Sequence, residues 1–223
     1  SIKPKIIVQL CPRLDTGGVE RGVVDVAIYL RQLGYQSIVI SYGGRLVAEL
    51  EHHQVKHIQL PIDSKNPFIF GLNLWRLKQQ IANLQPDLLL PYSRIPTWLI
   101  YLLNKKHMIP FITHCLGIHR MGFLGAKRFY NSVLMRGNAV IANSAFTKTY
   151  FLKYYLFLNK NITVIPRSVD LSLFNPTKID VQIISVLRAQ WRVAPGKTVV
   201  LLPARVTYWK GHEVLLSALD IIK

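Results

Sequence analysis

The chain has 223 residues, is 50% hydrophobic, and carries Lys+Arg 28 against Asp+Glu 11 for a formal net charge of +17. This composition supports a buried core and excludes a disordered polymer, and the length suits one to two domains. The charge favours an anionic partner, whether nucleic acid, an anionic membrane face or a phosphorylated small molecule, without choosing among them.

Short apolar runs alternate with helix-length amphipathic stretches. Lys5 to Leu10, Ser37 to Ile40, Val55 to Leu60, Asp87 to Leu90, Phe111 to His114, Ala139 to Ala142 and Ile162 to Ile165 read as strands. Between them Val19 to Leu33, Arg45 to His53, Phe70 to Leu84, Thr97 to Lys106, Leu124 to Arg136 and Ala145 to Leu156 read as helices. Strand, helix, strand in repetition implies α/β architecture with a Rossmann-like parallel sheet, because each crossover must return the chain in the same direction. This first lobe is assigned residues 1–166, and the turn-rich, aperiodic stretch 167–178 reads as a linker. A second unit, 179–223, opens with a helix from Ile179 to Arg192 and continues through a Pro195-Gly196 turn. A strand from Thr198 to Leu202 and a helix from Glu213 to Ile222 follow. One strand and two helices cannot bury their own apolar faces, so most of a second lobe is expected to be missing from this chain or supplied by another.

Charge is unevenly placed. From Leu88 to Val169 there is no Asp or Glu, while Arg94, Lys105, Lys106, Arg120, Lys127, Arg128, Arg136, Lys148, Lys153, Lys160 and Arg167 all fall there, interleaved with aromatics such as Phe123, Phe129, Tyr130 and Tyr150. That mixture suits the headgroup region of a bilayer, and equally a core stripe beside a solvated basic face. No apolar run approaches the ~20 residues that span a bilayer, so any membrane association is expected to be peripheral. Cys11 and Cys115 make no disulfide framework, which points to a reducing, cytoplasmic setting.

Four segments carry chemistry. Gly17-Gly18 follow the first strand directly before a helix, at the sheet edge where open parallel sheets bind ligands, and glycines there let the backbone approach a phosphate at the helix N-terminus. An ordinary strand-to-helix turn explains the same residues. His114 ends a predicted strand on the same edge, where its imidazole either bonds a substrate hydroxyl or braces a loop. Arg205 and Lys210 flank a strand-to-helix turn closed by Gly211, and a guanidinium fork with an ammonium group suits a leaving diphosphate. Pro195-Gly196-Lys197-Thr198 mimics the end of a Walker loop, but Trp191 stands where that pattern needs glycine, and a surface turn is the reading adopted. The scattered histidines lack a carboxylate or cysteine shell, so no metal is expected.

In order, Gly17-Gly18-Val19-Glu20, Thr113-His114, Val140 through Phe146, Val164-Ile165-Pro166-Arg167-Ser168-Val169-Asp170 with Phe174-Asn175-Pro176, and Ala204-Arg205 through Lys210-Gly211 resemble the retaining, nucleotide-sugar-dependent glycosyltransferases of the "group 1" type. Those enzymes share the two-Rossmann GT-B architecture. Leu187-Arg188-Ala189-Gln190-Trp191 and Tyr208-Trp209-Lys210-Gly211 resemble the bacterial branch that builds lipopolysaccharide and other envelope glycans. The resemblance implies hexose transfer, with retention, from a nucleoside diphosphate sugar to a glycan or lipid-linked acceptor, without a metal or other cofactor. It places Gly17 and Gly18 near the diphosphate, His114 near the reacting sugar, Arg205 and Lys210 on the donor phosphates, and Glu20, Asn143 and Ser144 in support. Two family glycines are replaced here, by Ser168 and Ala204. The glutamates that hold the donor sugar and ribose are expected beyond the equivalent of Lys223. The alternative is a non-catalytic, basic Rossmann-like domain that binds membranes or anions; nucleic acid is not expected, since no recognition motif accompanies the charge.

Overall fold

A computed structural model describes residues 4–119, 125–158 and 161–222, the Lys106 side chain excepted. Arg120, Phe123, Leu124 and Lys160 of the basic segment therefore lie outside the described residues. The chain divides into two compact units, Ser1–Ser168 and Val169–Lys223.

In the first unit, β1 (Ile6–Leu10), α1 (Gly18–Gln32), β2 (Gln36–Ser41), α2 (Val47–His52), β3 (Lys56–Gln59), α3 (Pro67–Leu84), β4 (Leu88–Pro91), α4 (Arg94–His107) and β5 (Ile112–Cys115) alternate. They are followed by α5 (Ala126–Asn131) with a 3-10 turn over Ser132–Met135, β6 (Ala139–Ala142), α6 (Ala145–Tyr155) and β7 (Ile162–Val164). All strand pairs are parallel, in the orders β3-β2-β1-β4 and β5-β6-β7. The bridge between Leu89 and Phe111, with the Leu89 amide donating to the Pro110 carbonyl at 3.0 Å, joins the two sets. The chain order thus reverses between β1 and β4. In open α/β sheets that reversal opens the crevice where ligands bind.

The period-2 alternation of the strands sorts the core by face. Ile6, Val8 and Leu10 point one way, into a cluster with Leu77 and Ile81 of α3 and Leu99 and Ile100 of α4. Ile7 points the other way, to Val23, Val24 and Ala27 of α1 and Leu50 of α2. Over β5–β7, Cys115, Val140, Ala142 and Ile162 pack on Phe151 and Tyr155 of α6. The central strands β1 and β4, buried on both faces, read as nearly continuous apolar runs, whereas the edge strand β3 has no buried residue.

Helix ends explain the boundary differences. α3 starts at Pro67, three residues before the Phe70 expected from periodicity, because Asn66 Oδ1 accepts from the amides of Phe68 at 2.9 Å and Ile69 at 3.4 Å, with Pro67 suited to the first helical position. The single helix expected up to Arg136 ends at Asn131 and tightens into a 3-10 turn; there the Ser132 hydroxyl donates to the Phe129 carbonyl at 2.7 Å.

The second unit holds α7 (Val181–Gln190), capped by Asp180 Oδ1 accepting from the Gln182 amide at 2.8 Å, and α8 (His212–Ile221). The strand expected over Thr198–Leu202 does not form: no described segment pairs with it, and a strand without a ladder has no partner for its backbone groups. Neither helix of this unit has a buried residue.

Candidate active site

Three loops at the carboxyl edge of the first unit's sheet build the site. After β4, Tyr92 is 4% exposed, and Ser93 adopts φ 74 and ψ 165, a region nearly reserved for glycine. Such a conformation costs about 1–3 kcal/mol and turns the chain sharply into α4. The Thr97 hydroxyl, donating to the Ser93 carbonyl at 2.5 Å, braces the turn.

Tyr92 links three elements. Its hydroxyl donates to Gln9 Oε1 of β1 at 3.0 Å, and Gln9 Nε2 donates to the Val23 carbonyl of α1 at 3.1 Å, so the buried Gln9 is satisfied on both sides. Its ring stacks on His114 of β5, with centroids 4.1 Å apart and planes 12° from parallel. Neither Gln9 nor Tyr92 stood out in the sequence; a glutamine inside an apolar strand was the available signal.

His114 Nδ1 lies 3.4 Å from the Pro91 carbonyl oxygen. A carbonyl only accepts, so Nδ1 carries the proton and Nε2 holds the lone pair. Burial pushes the imidazole pKa down to about 4; the Pro91 carbonyl opposes that shift and the positive charge of Arg167 adds to it. At neutral pH His114 is an uncharged ring able to accept a hydroxyl proton at Nε2. It lines a cleft of about 480 Å³ together with Gly18, Gly22, Tyr92, Ile141 and Arg167.

The two glycines at the start of α1 differ in what surrounds them. Gly17 has φ 167, an extended conformation open to any residue, and the requirement there is room: a Cβ on Gly17 would collide with the Glu20 carboxylate. Glu20 therefore folds over the first turn of α1, where a carboxylate is favoured by the unpaired amides and the helix dipole. Gly18 meets Arg167 instead, a Cβ there lying 3.4 Å from Nη2. Arg21, also lining the cleft, is occupied by Asp25 at 2.7 Å and by both oxygens of Glu49, at 2.7 and 2.8 Å, which tie α1 to α2.

Asn143 and Ser144 follow β6 on the same edge. Asn143 Nδ2 donates to the Leu116 carbonyl at 3.1 Å, and its buried Oδ1 has no partner among the described residues. The Ser144 hydroxyl accepts from the Thr147 amide at 3.1 Å and caps α6. Gly18 and His114 thus share one cleft, Glu20 covers its helix end, and Asn143 and Ser144 order the adjoining loop. Arg205 and Lys210 belong to the second unit, both exposed, on a turn whose last residue, Gly211, has φ 76. Among the described residues no three His, Cys, Asp or Glu side chains stand together as a metal site.

The sequence model of Glycosyltransferase Family 4 matches residues 16–173. Among solved structures, a glycosyltransferase from Rickettsia africae ESF-5 is similar at 36% identity and TM-score 0.82, over 99% of this chain and 58% of that one. Anabaena HepE in complex with UDP-glucose is similar at 23% identity and TM-score 0.77, over 97% of this chain and 57% of that one. Sucrose-phosphate synthase from Thermosynechococcus elongatus follows the same fold at 15% identity and TM-score 0.74, over 98% and 60%. The chain therefore spans under two thirds of the length of these proteins. No curated protein sequence matches.

Proposed function

The chain belongs to Glycosyltransferase Family 4, and on that premise we propose that it supplies the first lobe and part of the second of an enzyme that transfers a hexose, with retention, from a nucleoside diphosphate sugar. The acceptor in this reading is a glycan or lipid-linked acceptor of cell-envelope glycan synthesis. The observation that carries this reading is His114: a neutral histidine of β5, stacked on Tyr92 and lining the cleft.

In this reading Nε2 of His114 accepts from a hydroxyl of the reacting sugar and fixes it against the leaving diphosphate. Gly18 lets the backbone of α1 come near that diphosphate, and in the second unit Arg205 and Lys210 are the cations proposed to bind diphosphate. As the glycosidic bond to the diphosphate breaks, charge grows on the phosphate oxygens, and fixed cations stabilise it without reorganisation. HepE is a structural neighbour crystallised with UDP-glucose, which supports a nucleotide-sugar donor here. The deciding experiment is transfer by the intact protein across a panel of nucleotide sugars, with the product's anomeric configuration read by NMR.

A separate observation favours peripheral attachment to the cytoplasmic face of a membrane. A groove of about 690 Å³ between α3, α4 and α5 is lined by Phe70, Trp98, Phe129 and Tyr130 with Lys65, Arg94 and Lys127, and among the described residues by no carboxylate. Beside it α3 turns Phe68, Leu72 and Trp75 outward, at 88%, 44% and 59% exposure, while Leu77 and Ile81 face the core. Aromatic rings flanked by cations are the anatomy of an interfacial surface. Among the described residues no helix is long and apolar enough to cross a membrane. Co-sedimentation with anionic, but not neutral, vesicles tests the attachment.

A further inference from the structure

Arg167 follows β7 and is exposed, with its guanidinium beside the first turns of α1. Gly18 and Gly22 stand four residues apart on α1, so one stripe of the helix's first turns carries no side chain, and the guanidinium lies against that stripe. A Cβ on Gly22 would collide with its Nη1 and Cζ atoms. Arg167 and His114 line the same cleft.

The guanidinium makes no hydrogen bond or ion pair with any described residue. The cleft's other cation, Arg21, is fully engaged by Asp25 and Glu49, and Asp25, the carboxylate among the lining residues, is held by Arg21 in turn. A guanidinium has five donors in a rigid fork that matches a phosphoryl or carboxyl group. Held beside a bare helix edge, with no partner, it is set for an incoming oxyanion. Burial raises the Tyr92 pKa and lowers that of His114, and the charge of Arg167 opposes the first shift and adds to the second.

We propose that Arg167 is an anion-recognition residue of the first lobe, its guanidinium holding a phosphoryl oxygen of the nucleoside diphosphate beside His114. The assignment rests on the glycosyltransferase reading and adds to it a diphosphate contact from the first lobe. Arg167 is a binding and positioning residue, and His114 remains the group at the sugar.

The test is an NMR titration of the His114 ring signals in the 223-residue chain, assigned by their loss in His114→Gln. It uses inorganic pyrophosphate, UDP and, as a lone phosphomonoester standing for a phosphorylated acceptor, glucose 1-phosphate. Pyrophosphate and UDP are expected to raise the His114 pKa by placing negative charge beside the ring. Arg167→Met is expected to weaken both by at least about tenfold, with Arg167→Lys intermediate, as removal of a charge-assisted fork implies. Arg167→Met alone is expected to raise the His114 pKa, which a purely structural linker residue would not do. Glucose 1-phosphate binding more tightly than pyrophosphate overturns the donor assignment in favour of an acceptor phosphate. No pyrophosphate binding, or equal binding by wild type and Arg167→Met, overturns the proposal altogether. Either result leaves the transfer assay of the intact protein to judge the glycosyltransferase reading separately.

Discussion

Tyr92 and His114 stack face to face with ring centroids 4.1 Å apart, and the Tyr92 hydroxyl is pinned to Gln9 Oε1 at 3.0 Å. The imidazole's plane is therefore set from β1 through β4. Tyr92→Phe keeps the stack but leaves the buried Gln9 oxygen unpaired, a loss of about 1–3 kcal/mol. Chemical denaturation should show that destabilisation with transfer largely retained, whereas Tyr92→Ala should also lower kcat by freeing the His114 ring.

Protonating His114 is opposed by burial and by Arg167, so its folded pKa of about 4 lies below the unfolded value. Between pH ~6.5 and ~4 the unfolded chain binds the extra proton, and the contribution of this residue to stability, on the order of 3 kcal/mol, is lost as the pH falls through that window. Urea denaturation of wild type and His114→Gln at pH 7 and pH 4.5 measures the difference. The stability gap between the two proteins should shift toward the variant at the lower pH; a gap independent of pH would place the histidine in a solvated, ordinary environment.

Gly22→Ala separates stability from binding. Alanine improves helix propensity by about 1 kcal/mol over glycine, and the atoms it meets are the movable end of Arg167. The melting temperature is expected to hold or rise while the guanidinium is displaced and pyrophosphate affinity drops. A fall in both would show that Arg167 is a structural brace.

For the groove between α3, α4 and α5, charge reversal of Lys65, Arg94 and Lys127 to Glu should abolish sedimentation with anionic vesicles at low salt, and raised salt should do the same to wild type. Phe129→Ser, at a ring 63% exposed, should weaken binding at every salt concentration. Binding indifferent to salt would refute the electrostatic part of that reading.

Much of the fold was legible because strands buried on both faces leave an unmistakable run-and-helix rhythm, and each strand of the first unit lies where that rhythm put it. Thr198 to Leu202 shows the limit: five residues with strand character form no strand without a neighbour to pair with. Of the site, Gly18 and His114 were legible from their place at strand ends, a position set by topology. Tyr92 and Arg167 were not, because what distinguishes them is contact across the sheet: Tyr92 with Gln9, 83 positions away, and Arg167 with the bare edge of α1. At Gly17 the absent side chain makes room for Glu20, and a φ of 167 needs no glycine, neither of which local pattern shows.

The proposed role of His114 is to hold the reacting sugar in a retaining transfer assisted by cations. Initial-rate measurement of the intact protein with its preferred nucleotide sugar, for wild type and His114→Ala, tests it most directly. A kcat reduced by roughly 10²-fold or more, with the donor KM little changed and the wild-type product retaining the donor's anomeric configuration, is the expected result. Full turnover by His114→Ala, or an inverted product from wild type, would contradict it.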